Sequence, residues 1–231
     1  RLLDAAGNHD ADVDAVAHIA FIIPPQSEHR PEWAREINVT GTRHLIAAMQ
    51  ALPRPPRLVF TSSISVTGPR GPEDEPPVTA AHPTKETDAY TAHKIETEAM
   101  VRESGLDWTI LRVGAVFPHV LPTSLDPMTF DIPQEQRMEM VHTLDVGLAV
   151  ANAVSCDEAL GQTLLIGGGE SCRVRAGELR SRVAALLKMP TFPESAFGQD
   201  PFYTDFMDTA EAQRLLRFQR HSFDDCVDEL E

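Results

Sequence analysis

Short apolar runs of β-prone residues alternate in this chain with stretches of helical spacing, and that alternation constrains the fold more than any other feature. Residues 13–20 (VDAVAHIA) read as a buried strand, and 37–45 belong to the helix after it. Leu58, Val59 and Phe60 follow the proline-rich break at 53–56 and form a second strand, which ends in the hydroxyl residues Thr61, Ser62 and Ser63. Residues 108–113 (WTILRV) read as a third strand and 163–166 as another. Strands separated by helices of about a dozen residues argue for an α/β fold, a doubly wound parallel sheet. Ligands of such sheets bind beyond the carboxyl ends of the strands, so Thr61, Ser62 and Ser63 should stand at the mouth of a site.

The segment Tyr90-Thr91-Ala92-His93-Lys94 places a tyrosine and a lysine four apart, on one face of a helix that Asp88 can cap. An ammonium beside a phenol favours the phenolate, which makes the tyrosine a usable general acid/base near neutral pH. Glu98 continues the same face. Between the hydroxyl-rich strand end and this helix, residues 69–83 are rich in proline and read as an active-site loop.

Six pieces occur in order between about residues 12 and 152: DAVAHIA, INVTGT, LVFTSSISVTG, YTAHK with Glu98 behind it, LRVGAVFP and VHTLDVGLAV. As an ordered set they resemble an extended short-chain dehydrogenase/reductase of the NAD-dependent epimerase/dehydratase group. The resemblance implies a Rossmann-like domain over 1–117 and a mainly substrate-binding lobe over 118–231, with 138–166 partly returning to the first domain. It implies NAD or NADP as cofactor and chemistry at a secondary alcohol or ketone. Tyr90 would be the acid/base and Ser63 would orient the substrate oxygen, with Ser62 as the fallback. Lys94 would bind the nicotinamide ribose and hold Tyr90 reactive. Ala20, Phe21, Asn38, Ser62, Val113 and Val116 would join Tyr90 and Lys94 along the cofactor. Asp145 would cap a helix. The family often dimerises through two long helices, here about 31–51 and 88–104.

The chain departs from the family in three places. The glycine-rich phosphate turn is not found, so the domain is expected to be N-terminally incomplete; Gly167-Gly168-Gly169 comes too late in the chain and reads as an ordinary turn. Thr67 replaces the tyrosine often found before the serine-loop glycine, here Gly68. The stretch between Pro118 and Val141 is short, and Arg137 lies one position from where a diphosphate-binding arginine is expected. The substrate is therefore expected to be a small molecule other than a nucleotide sugar. The alternative is a non-catalytic binding or regulatory protein, or an inactive fragment.

A net charge of −15 disfavours nucleic-acid and anionic-membrane partners. Three cysteines, scattered and without metal spacing, suit reduced thiols and a cytoplasmic location. His18 reads as a satisfied strand residue. No second ligand lies at helical spacing from the histidines weighed, so no metal site is expected.

Overall fold

The computed structural model describes residues 13–117, 127–190 and 192–229. Its strands are β1 (Ala15–His18), β2 (Arg57–Ser63), β3 (Trp108–Val113), β4 (Ala115–Phe117), β5 (Arg137–His142), β6 (Gln162–Ile166) and β7 (Arg173–Arg175). Its helices are α1 (Gln26–His29), α2 (Pro31–Arg35), α3 (Gly41–Gln50), α4 (Ala89–Glu103), α5 (Thr143–Ser155), α6 (Ala176–Leu186), α7 (Ala210–Leu216) and α8 (Phe223–Asp228). A π-helical turn, Glu36–Thr40, joins α2 to α3.

Strands β1, β2, β3 and β6 form a parallel sheet in that order. The side chains of β2 show why the sheet is wound on both faces. Leu58 and Phe60 pack with Ile46 and Met49 of α3 and Val101 of α4, whereas Val59 packs with Ala149, Val150 and Ala153 of α5. Leu58, Val59 and Phe60 are at most 1% exposed, and each such side chain contributes roughly 1.5–3 kcal/mol by burial. Register then aligns the strand ends: Ser63 lies beside Val113, and Val113 beside Ile166. Of the expected strand at 13–20, only Ala15–His18 pairs; Ile19 and Ala20 run on, exposed, past the sheet.

A second sheet follows, with β4 and β5 parallel and β7 antiparallel to β5. It packs with α6 and α8 around Met138, Met140, Val174, Phe223 and Val227. The chain returns to the first sheet through α5 and β6, and α7 packs against both. Among the described residues no helix is long and apolar enough to cross a membrane.

Glycines make the seam between the sheets. Gly168 donates its N–H to Met140 at 2.8 Å, and a Cβ there would lie 2.4 Å from Cys172 Sγ and 2.5 Å from the Met140 oxygen. The triple glycine is thus a crossing point where backbone must approach backbone. Asp145 does not cap α5. His142 holds the N-cap position and its Nδ1 accepts from Leu144 N, while the buried Asp145 carboxylate accepts from Arg220 N, His221 N and the His221 ring.

Gly168→Ala should destabilise the protein by about 1–3 kcal/mol in urea denaturation, because the added methyl overpacks the seam. Gly147→Ala, in α5 with nothing within 4 Å of the new Cβ, should instead stabilise it by about 0.5–1 kcal/mol. Equal effects would contradict the packing described.

Candidate active site

The site is built where β2 ends against the start of α4. Ser63 leaves the strand in extended conformation and its Oγ accepts from Ser65 N at 3.2 Å, opening the 3-10 turn Ile64–Thr67. Gly68 closes that turn at φ +79°, a conformation that disfavours side-chain-bearing residues. On the other side, Asp88 caps α4 by accepting from Thr91 N at 2.7 Å, in a reciprocal box with the Thr91 hydroxyl. Glu28 of α1 accepts from Ala89 N and Tyr90 N, both at 3.1 Å. Three N–H groups of the first turn are therefore satisfied by carboxylates, which suits the positive end of the helix dipole. The Tyr90 amide is thereby fixed by the Glu28 carboxylate.

The phenol of Tyr90 faces the Ser63 hydroxyl. Burial raises its pKa, the Ser63 hydrogen bond works against this, and the Asp88 charge adds to the rise, so the net position is above the ordinary tyrosine value. One turn on, Lys94 is 3% exposed. Its Nζ donates to the Thr61 carbonyl at 2.7 Å and lies 3.6 Å from the Phe21 ring centroid and 5.8 Å from that of Tyr90. Burial pulls the Lys94 pKa down to about 7 against the opposing charge of Glu98. Tyr90 and Lys94 share a face, and the Thr61 carbonyl and the Phe21 ring hold the ammonium. Phe21 also meets Tyr90 edge-on, with ring centroids 6.0 Å apart.

The serines separate. Ser63 faces Tyr90, whereas the Ser62 hydroxyl is buried toward Glu98 without a well-formed hydrogen bond among the described residues. Asn38 is wholly buried; its amide accepts from Ile22 N at 2.7 Å and donates to Ile22 O at 2.9 Å, clamping the loop after β1. Ala20 is exposed beyond the end of β1, and Val113 ends β3 beside Ser63. Val116 lies in the second sheet, 44% exposed. His18 bonds Thr42 Oγ1 at 2.8 Å, as a satisfied strand histidine would.

Sequence reading missed the support behind the site. Glu98, 0% exposed, receives a bidentate Arg112 from β3 and a third bond from Arg102. Burial alone would raise its pKa, but the arginines, with Ser62, bring it below the usual value. The one legible signal was Glu98 four residues after Lys94; its arginine lies on another strand. The proline-rich loop is tied to the C-terminal half of the chain. Val78 N donates to Phe206 O at 2.8 Å, and Arg137 donates to the carbonyls of Gly71 and Asp74 and pairs with buried Asp205.

His142, His221 and Glu229 also gather, with ligand-type atoms within 4.8 Å of one another. The His142 Nδ1 accepts from Leu144 N, and its Nε2 lies 2.8 Å from Glu229 Oε2. The sequence reading, which expected no metal site, did not bring these three residues together.

The fold is a parallel doubly wound sheet, with Ser63 at the carboxyl end of β2 and Tyr90 and Lys94 on α4. The chain belongs to the NAD dependent epimerase/dehydratase family, whose sequence profile matches residues 3–125. A curated relative, D-erythronate dehydrogenase of Cupriavidus necator, is 28% identical over 111 residues; the match covers 46% of this chain and 33% of that protein. The chain thus spans about a third of that relative's length. Among solved structures, a short-chain dehydrogenase/reductase superfamily protein from Agrobacterium tumefaciens with bound NAD is 21% identical, with a TM-score of 0.72, over 94% of this chain and 78% of that one. UDP-glucuronic acid 4-epimerase from Bacillus cereus, in complex with UDP-glucuronic acid and NAD, is 16% identical with a TM-score of 0.77, over 94% and 74%. RMD from Pseudomonas aeruginosa, complexed with NADPH, is 15% identical with a TM-score of 0.74, over 94% and 80%.

Lys94 predicts a specific pH dependence of stability. Its folded pKa, about 7, lies below the ordinary value of 10.5, so between those values the unfolded chain binds more protons and this group's contribution to stability rises with pH. Lys94→Met removes the buried charge. The variant should gain on the wild type by a few kcal/mol more at pH 6 than at pH 10, measured by urea denaturation at each pH. An advantage that does not change with pH would show that Lys94 titrates normally.

Proposed function

We propose that this chain carries the substrate and nicotinamide side of an NAD- or NADP-dependent oxidoreductase or epimerase that acts on a secondary alcohol or ketone. The observation that carries the reading is the placement of Tyr90 and the buried Lys94 one turn apart on α4, against the hydroxyl-rich end of β2, where the Lys94 Nζ reaches the Thr61 carbonyl. The family and the NAD- and NADPH-bound neighbours support the cofactor class. The residues present suit the nicotinamide half of such a cofactor: Lys94 is a buried cation whose fixed partner is a single carbonyl, leaving donors for ribose hydroxyls. A nicotinamide cofactor held there would supply the hydride acceptor or donor.

The rest of the chemistry belongs to side chains. Ser63 holds the substrate oxygen. Tyr90, a phenol at neutral pH, donates its proton to a carbonyl during reduction and, as phenolate, removes the hydroxyl proton during oxidation. Lys94, shifted from Thr61 toward a ribose, would lower the phenol by bringing positive charge nearer. Arg137 is committed to Asp205 and two loop carbonyls, which supports a substrate without a diphosphate. D-erythronate, the compound named for the curated relative, is the first to test. A homodimer through the α2–α3 and α4 surfaces, where Trp33 and Ile37 are exposed, and a cytoplasmic location with thiols left unpaired complete the reading.

The purified protein should bind NAD or NADP saturably, by nicotinamide fluorescence, and reduce it with a small hydroxy acid. Tyr90→Phe should keep cofactor binding within about threefold and lose about a hundredfold or more in kcat. Oxidative kcat/KM should climb with pH through the neutral range, because the raised Tyr90 pKa leaves little phenolate there. Failure to bind either cofactor, or a Tyr90→Phe enzyme of wild-type rate, would overturn the proposal.

A further inference from the structure

The second lobe encloses a cavity of about 230 Å³ between α6, the 3-10 turn Pro127–Phe130 and the segment around Phe192 and Phe197. Its walls are mainly apolar. Phe130 stacks on Phe197 at 5.7 Å and meets Phe192 edge-on at 5.1 Å, while Phe117, Met140, Leu179 and Val183 line the rest. Among the described residues none that lines it is acidic, and Ser63, Tyr90 and Lys94 are not among them.

One cation stands in this wall. The Arg180 guanidinium lies 4.1 Å over the Phe197 ring. Two of its nitrogens donate to neutral acceptors, the Thr129 carbonyl at 3.2 Å and Gln134 Oε1 at 2.9 Å. Its Nε is buried and has no hydrogen-bond partner. No carboxylate among the described residues pairs with it, although Arg137 and Arg173 of this lobe each hold a buried one. Burial pulls its pKa below the usual arginine value. A guanidinium in apolar surroundings with neutral partners alone is short of an anion, because burying a cation is costly unless it is paired. Its planar set of donors matches a carboxylate.

We propose that this cavity binds an apolar monocarboxylate, of medium-chain or aryl type, with the body among Phe130, Phe192, Phe197 and Val183 and the carboxylate on Arg180. The neighbouring shallow depression carries Glu135, Glu178 and Glu194. Those charges repel anions from the rim, so selectivity for a carboxylate would have to come from Arg180 itself. The site is independent of the catalytic reading.

The test titrates the full chain with octanoate and 3-phenylpropionate, and with octanol, 3-phenylpropanol and octylamine as matched bodies without the anion, read by calorimetry and thermal shift. The carboxylates should bind saturably and at least tenfold more tightly than the alcohols or the amine. Arg180→Met should weaken the carboxylates at least tenfold and leave the alcohols unchanged. Ala184→Trp, which fills the cavity and retains the arginine, should abolish both, with far-UV circular dichroism showing that each variant is folded. Tyr90→Phe should bind the carboxylates as the wild type does. Equal binding of alcohols and carboxylates, preference for the amine, no saturable binding, or full binding in a folded Ala184→Trp would each overturn the proposal.

Discussion

Arg112 and Glu98 hold the arrangement together. Arg112 points off β3 and Glu98 off α4, and they meet through two parallel hydrogen bonds of 2.9 and 2.8 Å with both side chains at most 4% exposed. A buried pair of this kind is worth little compared with an apolar replacement, but removing one partner leaves a stranded charge that costs about 3–5 kcal/mol. Its consequence is geometric. It fixes α4 against the sheet near the level where Lys94 reaches the Thr61 carbonyl, and so sets where Tyr90 stands relative to Ser63.

The N-terminal end of α4 is as constrained as its middle. Asp88 and Glu28 satisfy the first-turn amides from opposite sides, and Asn38 ties the loop after β1 to the π turn that carries it. Reactive groups on a rigid frame need little reorganisation when a ligand arrives. The Lys94 side chain is held between the Thr61 carbonyl and the Phe21 ring.

An apolar cluster that includes Val59, Leu111, Val141, Leu216 and Phe218 joins the first sheet to the C-terminal half, and within that half buried carboxylates fix the packing. Glu139 accepts from Gly169 N, Arg173 and Met207 N, and Asp205 from Arg137 and Phe206 N. Both carboxylates are fully buried. The proline-rich loop is stitched to 202–208 by backbone bridges at Arg70 and Val78. Such a seam specifies orientation, since buried charges tolerate few alternative partners.

Much of this was legible in the chain because it is local. The apolar runs, the hydroxyl residues after Phe60, the Asp88 cap and the four-residue step from Tyr90 to Lys94 all follow from backbone period and propensity, and the ordered motifs carried the family. Contacts between distant residues were not legible. Glu98 with Arg112, Asp205 with Arg137, Asp145 with His221, and Arg180 over Phe197 join residues 14 to 76 positions apart. Asp145 shows the difference most clearly: its position suggested a helix cap, and the fold instead turned it toward a segment near the end of the chain. Period and propensity act within a turn or two of backbone, so the sequence by itself determined the elements and the residues that end them. Which charges are buried together depends on how those elements pack, and only the tertiary structure decided that.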